Sequence, residues 1–169
     1  MHTSDETFMS WLRDAHAMEE QAEQVLSSLA RRIENYPELK AQIERHLEAT
    51  RRQADRVRGC IERRKGAPSA IKTTMAKMLG VAQGLSGLFV GDEVVKGVLA
   101  TYTFEHMEIA SYKILIAAAE RIGDAETKRV LEEILREEEE MAKWLEGHLD
   151  SVTQQYLVRE ATPHATAKH

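Results

Sequence analysis

Four ionisable residues, Glu19, His46, Glu105 and Glu138, interrupt core-facing patterns on four predicted helices. A single carboxylate interrupts an apolar or aromatic pattern on three of them, and on the fourth His46 is followed by Thr50 and Gln53. Around each of them, hydrophobic residues recur at alternating steps of three and four, the spacing of one face of an α-helix. Carboxylate oxygens together with an imidazole nitrogen form a donor set that suits iron, manganese or zinc. Glu108, one turn after Glu105, can add an oxygen ligand or can lie at the solvent-facing edge of its helix.

These patterns define the core-facing positions of four long helices. The positions are Phe8, Leu12, Ala15, Glu19, Ala22, Leu26, Leu29 and Ile33; Leu39, Ile43, His46, Thr50, Gln53, Val57 and Cys60; Val98, Tyr102, Glu105, Ile109, Tyr112, Ile116 and Ala119; and Leu131, Ile134, Glu138, Met141, Leu145, His148 and Val152. Because neighbouring antiparallel helices have their midpoints at one depth, we expect the four ionisable groups in one buried layer. Tyr102 and Tyr112 flank Glu105, either as core residues or as redox-active neighbours of a metal.

Three carboxylates in one core are unfavourable without compensation, because buried like charges repel and lose their hydration. The layer must therefore be protonated, paired with His46 as an imidazolium, hydrated, or occupied by a cation. A divalent metal satisfies all the carboxylates at once. The alternative is a polar layer that only sets the register of the helices, as buried polar residues do in coiled coils.

Prolines and glycines mark the ends of the predicted helices. Ser4 or Asp5 can cap the first helix, which runs to about Arg32–Glu34. The other helices run from Pro37 to about Lys65, from near Asp92 to Gly123–Asp124, and from there to about Tyr156. Two short-linked hairpins joined by one long crossover are typical of ferritin-type bundles. We therefore predict an all-α antiparallel four-helix bundle, with one domain over residues 1–159 and a disordered tail over residues 160–169.

The crossover, Ser69–Val90, is apolar and rich in glycine, and we predict that it contains a short extra helix. Its glycine-rich part, residues 75–91, has three interpretations. It can cover an apolar flank of the bundle, form a dimer contact through Gly80 and Gly84, or lie on a membrane surface.

Composition excludes several classes of protein. The net charge of −5 comes from interleaved charges of both signs, without the basic stripe that a nucleic-acid interface needs. The sequence has no uninterrupted apolar run long enough to span a membrane. A single cysteine, Cys60, rules out an internal disulfide, and residues 1–10 lack the layout of a signal peptide. These observations predict a cytoplasmic protein.

Short stretches on all four helices resemble one known family. They are Leu12-Arg13-Asp14 with Glu19-Glu20-Gln21, Glu38-Leu39-Lys40 with His46-Leu47-Glu48-Ala49-Thr50 and Gln53, Glu105-His106-Met107-Glu108-Ile109-Ala110-Ser111-Tyr112, and Leu131, Glu133, Leu135 and Glu137-Glu138. Together they resemble the YciE/YciF family of bacterial ferritin-like stress-associated proteins. The chain lacks the Glu-x-x-His motif of ordinary ferritins.

The resemblance implies a ferritin-like bundle, commonly a homodimer, with a di-metal centre. Glu19, His46, Glu105 and Glu138 fall on positions that look like the family's inner-face ligands. The chain departs from the pattern at Ala49, where the family has a second glutamate, and at Ala142, where an acid is common. The predicted centre therefore holds one or two ions of iron or manganese, or none.

Two functions follow from this reading. The first is a ferritin-like metal protein of stress or oxidative defence that oxidises Fe²⁺ or consumes peroxide. The second is a structural or interaction bundle, without enzymatic activity, whose metal site has decayed. Ala49 and Ala142 favour the second function, and the layer of Glu19, His46 and Glu105 with Glu138 favours the first.

Overall fold

The computed structural model of the protein describes residues 3–64 and 93–167. These residues form the helices α1 (Ser4–Arg32), α2 (Pro37–Arg63), α3 (Glu93–Ile122) and α4 (Ala125–Ala161). The predicted all-α, ferritin-like four-helix bundle is confirmed. The predicted extra helix and the glycine-rich segment 75–91 lie outside the described residues. Within the described ranges, no helix is long and apolar enough to cross a membrane.

The helix ends have local chemical causes. Thr3 and Glu6 form a reciprocal capping box at the start of α1, so the cap is one residue earlier than predicted. Pro37 occupies the first turn of α2, where its missing N–H leaves no hydrogen bond unmade. Gly123 takes a positive φ of 77° between α3 and α4, and the Asp124 side chain then accepts from the backbone N–H of Thr127.

Each helix is antiparallel to both of its neighbours. Besides the hairpins α1–α2 and α3–α4, α1 packs on α3 and α2 packs on α4. Gly97 near the start of α3 lies against Leu29 near the end of α1, so closely that an added Cβ would be 2.7 Å from a Leu29 methyl carbon. On the other side, Arg63 at the end of α2 donates to Thr127 at the start of α4 over 2.7 Å. The central turns of α1, α2 and α3 therefore lie at one depth, and the longer α4 passes the same depth near Glu138.

The apolar core is divided into two clusters along the bundle axis. The first cluster lies at the end where α1 begins and contains Phe8, Met9, Leu12, Ala15, Met18, Ala22, Val57, Ile61, Phe104, Tyr112, Leu115, Ala119, Leu131 and Ile134. The second lies at the opposite end and contains Leu26, Leu29, Ala30, Ile33, Tyr36, Leu39, Ile43, Leu47, Val94, Val98, Met141, Leu145 and Val152. Buried polar residues lie between them on every helix.

The C-terminal segment contacts the α1–α2 turn. Helix α4 continues past Tyr156 to Ala161, and residues 162–167 then fold back. The buried Tyr36 hydroxyl donates to the Ala167 carbonyl over 2.6 Å, and Arg159 donates to the Thr166 carbonyl over 2.8 Å. The sequence predicts a disordered tail over residues 160–169; in the structure, residues 160 and 161 end α4 and residues 162–167 lie against the α1–α2 turn.

Candidate metal centre

The five predicted ligand residues all lie in the buried layer between the two apolar clusters. Glu19 is on α1, His46 on α2, Glu105 and Glu108 on α3, and Glu138 on α4. All five side chains are almost completely withdrawn from solvent, since each residue is at most 5% exposed. The 3.6-residue period of each helix puts these positions on its core-facing side, at the depth where all four helices pack together.

Four of the five residues form one compact group. His46, Glu105, Glu108 and Glu138 each offer a ligand atom, and these atoms all lie within 4.8 Å of one another. The Nε2 atom of His46 is 3.0 Å from a Glu105 oxygen and 3.5 Å from a Glu138 oxygen. Three helices therefore direct an imidazole and three carboxyl groups toward a common point.

Glu19 lies in the same layer but outside this group of four. One of its oxygens accepts a hydrogen bond from the buried Tyr112 hydroxyl, across the contact between α1 and α3. Its other oxygen has no hydrogen-bond partner. Glu19 can therefore offer one oxygen to the layer from α1, while its other oxygen is hydrogen-bonded to Tyr112.

Glu108 is a core residue and does not lie at the solvent-facing edge of its helix, one of the two positions that the sequence allows. The residue spacing of α3 allows two alternative sets of core-facing positions, here called seams. Both seams contain Val98, Glu105, Tyr112 and Ala119, and they differ in the residues between these four. The predicted seam used Tyr102, Ile109 and Ile116, whereas the structure buries Thr101, Glu108 and Leu115 and leaves the predicted three partly exposed. Periodicity allows both seams, because each alternates steps of three and four. The rotation of α3 against α1 and α4 selects one.

Two further polar residues of α2 border the layer. Thr50 donates to the His46 carbonyl over 3.0 Å, which satisfies its hydroxyl within the helix. Gln53 is fully buried and donates to Glu137 over 2.8 Å. The signal for both was present in the sequence, since they follow His46 at core-facing positions.

Burial dominates the electrostatics of the layer. It raises the pKa of Glu105 to about 8 and the pKa values of Glu19, Glu108 and Glu138 well above the ordinary range. Neighbouring carboxyl groups raise the pKa values of Glu19, Glu108 and Glu138 further. Burial also lowers the pKa of His46, although Glu138 acts in the opposite direction. Without a cation, the layer therefore favours protonated carboxyls and a neutral imidazole.

The unpartnered atoms of the layer fit a cation. One oxygen each of Glu19, Glu105 and Glu108, both oxygens of Glu138 and Nε2 of His46 are buried without a hydrogen bond of ordinary geometry, although Nε2 of His46 lies 3.0 Å from the other Glu105 oxygen. Among the described residues, no lysine or arginine forms an ion pair with these four carboxyl groups. Buried polar atoms are normally satisfied, and unsatisfied ones are destabilising. Oxygen and imidazole donors of this kind match iron, manganese or zinc.

Two small residues limit the donor set. Ala142, one turn after Glu138, is buried, and Ala49 on α2 is half-buried. Neither alanine supplies an oxygen. The layer therefore has the five ligand candidates described above and lacks the two extra carboxylates that the family resemblance would place at positions 49 and 142.

Comparison with known proteins identifies the family. The sequence profile described as "Domain of unknown function (DUF892)" matches residues 3–158. The chain belongs to this family. Among curated proteins, the DUF892 chain is 30% identical to Protein YciF of Escherichia coli (strain K12) over 149 residues, which cover 82% of this chain and 85% of YciF. The resemblance to the YciE/YciF proteins is thereby confirmed.

Solved structures agree with the assignment to DUF892. A protein from Xanthomonas campestris pv. campestris str. ATCC 33913 superimposes with a TM-score of 0.80 at 40% identity, covering 95% of this chain and all 100% of its own. The crystal structure of the Escherichia coli stress protein YciF gives a TM-score of 0.79, with 27% identity in the structural alignment, and covers 92% and 99% of the two chains. Each of these two solved chains thus aligns with this chain over almost its whole length.

Proposed function

We propose that this DUF892 protein is a ferritin-like metal protein of stress or oxidative defence, with iron or manganese held in the buried layer. The observation that carries the proposal is the set of unpartnered buried atoms on His46, Glu105, Glu108 and Glu138, with Glu19 beside them. The relative YciF is described as a stress protein, which supports the physiological setting. We also propose that the protein acts as a homodimer, as the family resemblance implies.

In this proposal His46, Glu105, Glu108 and Glu138 hold the ion, and Glu19 supplies an oxygen from α1. When bound, the metal supplies a redox-active centre that exchanges electrons with dioxygen or peroxide. The protein's own residues keep bulk water out, since the layer lies between two apolar clusters. Tyr112 holds one Glu19 oxygen by a hydrogen bond, which orients the other.

The deciding experiment measures metal binding by the purified protein. We expect Fe²⁺ (under anaerobic conditions) or Mn²⁺ to bind and to stabilise the fold, by about 2.7 kcal/mol at a free concentration 100 times Kd. A chelator should remove this stabilisation, because the ligands must be deprotonated and bound to metal to contribute it. The variant Glu138→Gln should bind at least about tenfold more weakly, since a neutral amide replaces an anionic ligand.

The matched control is Glu140→Gln, an exposed position on the same helix. It should bind metal as the unaltered protein does. Binding of less than about one-tenth of an ion per chain, with no response to chelator, would instead support the second function, a structural or interaction bundle with a decayed site. Ala49 and Ala142 are the observations that favour this alternative.

A further inference from the structure

The surface between α1 and α3 carries an apolar groove. Two adjoining cavities of about 260 and 530 Å³ share Trp11 and Ile114 in their linings, so they form one continuous depression. Trp11 is 42% exposed and Ile114 is 56% exposed. Contact of two such large apolar side chains with water is unfavourable, and contiguous apolar patches of this kind mark interaction sites.

Helix α3 contributes to this groove from its outer side. Ile114 follows Glu105 by nine residues, about two and a half turns, so it lies on the side of α3 opposite the polar layer. A helix that is apolar on both its inner and its outer side requires partners on both sides. The exposure of Ile114 and Ala117 shows that nothing within residues 3–64 and 93–167 covers the outer side.

The opposite groove, between α2 and α4, is bridged by polar side chains. Arg56 pairs with Glu133 over 3.1 Å and with Glu137 over 2.7 Å, and Gln53 donates to Glu137 over 2.8 Å. Partly hydrated ion pairs need no apolar partner. The difference between the two grooves identifies the α1–α3 groove as the docking surface.

The α1–α3 groove has opposite charges toward its two ends. Asp14 lies three residues after Trp11, about 4.5 Å along α1, and Arg121 lies seven residues after Ile114, about 10.5 Å along α3. Because α1 and α3 are antiparallel, these displacements point in opposite directions from one depth, which Trp11 and Ile114 share. Asp14 and Arg121 are therefore about 15 Å apart along the bundle, too far to pair within one chain.

A two-fold axis perpendicular to the middle of the groove makes this surface complementary to itself. In a two-fold dimer, each patch contacts the same patch of the other copy. The axis brings Asp14 to the depth of the partner's Arg121, and the same pair forms a second time. It also brings Trp11 to the depth of the partner's Ala118, where the wall has only the small side chains of Ala117 and Ala118. One symmetry operation thus matches opposite charges and sets a large side chain against a hollow.

We propose that a second copy of this chain docks in the α1–α3 groove, with Trp11 as the anchor and Asp14 paired with Arg121 across the interface. Tryptophan and arginine are among the residue types that contribute most to binding at protein interfaces. The inference rests on the proposed homodimer, to which it gives a surface, and is independent of the proposed metal.

The first experiment measures the dimer by sedimentation equilibrium over a range of protein concentrations. We expect the unaltered chain to dimerise and Trp11→Ala to raise the Kd by at least about thirtyfold, as loss of an interface anchor does. Ile114→Lys should prevent dimerisation, because it buries a charge in an apolar contact. The matched control is Leu99→Lys, on the same helix at a residue that is 49% exposed and outside the groove, and it should leave the Kd unchanged.

The charged pair is tested by exchanging its signs. Asp14→Arg and Arg121→Asp should each raise the Kd by about tenfold or more, since each sets two like-charged contacts in the dimer. The double variant should return the Kd to within about threefold of the original, because both pairs form again with reversed signs. Since the two residues are too far apart to pair in one chain, this recovery identifies a contact between two copies. A double variant as weak as the single ones would overturn the inference.

The second experiment measures the fluorescence of Trp11 in the background of Trp144→Phe, which leaves Trp11 as the single tryptophan. Its emission should shift to shorter wavelength as the protein concentration rises, because the indole leaves water when the dimer forms. A short-wavelength emission that is the same at every concentration would mean that one chain covers the groove by itself, and the inference would then be wrong.

Two other results overturn the inference, namely an unaltered chain that is monomeric at every concentration, or a Kd that neither Trp11→Ala nor Ile114→Lys changes. In the second case the homodimer remains and uses another surface. Titration of the monomeric Ile114→Lys variant with Mn²⁺ separates these results from the proposed metal site. We expect it to bind Mn²⁺ as the unaltered chain does, because no residue of the groove is a candidate ligand.

Discussion

The two apolar clusters and the polar layer between them are equally buried and chemically opposite. Leu145 in the second cluster and Glu138 in the layer lie two turns apart on α4, and both are fully buried. Leu145 is buried at a gain in free energy, because its surface leaves water for an apolar environment. Glu138 is buried at a cost, because its carboxyl group leaves water and makes no hydrogen bond of ordinary geometry in return.

The difference shows that separate regions of the bundle stabilise the fold and carry the candidate metal site. The clusters at the two ends hold the helices together. The free energy gained by burying them offsets the cost of burying the polar layer between them. Proteins commonly retain such destabilising groups where function needs them. The contrast leads to four predictions, given from the largest effect to the smallest.

Shortening a side chain in an apolar cluster should have the largest effect on the fold. We expect Leu145→Ala to lower the free energy of unfolding by about 2–5 kcal/mol, because it leaves a cavity in a packed core. Chemical denaturation measures this. The control Leu157→Ala, on the same helix at a residue that is 49% exposed, should change it by less than about 0.5 kcal/mol. Equal effects at both positions would contradict the assignment of the cluster.

An apolar substitution in the layer should act in the opposite direction. In metal-free protein at neutral pH, Glu138→Leu should raise the free energy of unfolding by about 1–4 kcal/mol, since an apolar side chain replaces a desolvated carboxyl group that lies 3.5 Å from His46 without a hydrogen bond of ordinary geometry. The same variant should lose metal binding. The exposed Glu140→Leu serves as the control and should show neither change. A destabilised Glu138→Leu protein would mean that the carboxyl group has a structural role.

The layer should also make metal-free protein less stable as the pH rises. Its carboxyl groups have raised pKa values in the folded state, about 8 for Glu105, so they contribute stability while protonated and lose it as pH rises through that value. Between pH 7 and 8.5 we expect the Tm to fall by about 2–4 °C. His46 adds little in this window, because it is neutral in both states.

Two comparisons sharpen the pH experiment. Glu105→Gln should flatten the pH dependence, because it removes a group that titrates in this range. Saturating metal should abolish the decrease, since a bound cation favours the deprotonated ligands. A metal-free protein whose Tm rises between pH 7 and 8.5 would contradict the raised pKa values.

The smallest effect concerns Tyr112, where the first cluster meets the layer. We expect Tyr112→Phe to lower the free energy of unfolding by about 0.5–1.5 kcal/mol, because Glu19 loses its hydrogen-bond donor while the ring remains packed. The control is Tyr102→Phe, whose partly buried ring packs edge-on against His106 and not against the layer. A change in metal affinity in the Tyr112 variant alone would indicate that the tyrosine positions Glu19.

The sequence predicted the fold and most of the layer because both follow from short-range regularities. The three-and-four spacing on each helix identified Glu19, His46, Glu105 and Glu138 as inward-facing, and the structure buries all four. Pro37 and Gly123 marked helix ends through their backbone restrictions, which are properties of the residue itself.

Other features required the packed structure. Sequence periodicity could not choose between the two overlapping seams of α3, so the burial of Glu108 depended on how α3 rotates against its neighbours. The return of residues 162–167 to Tyr36 joins segments that are far apart in the chain, and no local pattern reports such a contact.

For this protein, then, residue types and spacing alone determined that one polar layer divides a four-helix bundle, because burial follows helical period. Only the tertiary structure decided which members of the layer approach each other. It grouped His46 with Glu105, Glu108 and Glu138 within 4.8 Å and placed Glu19 apart with Tyr112. The reason is that distances between helices depend on how side chains of all four pack together, and a single helix carries no information about its neighbours' rotation.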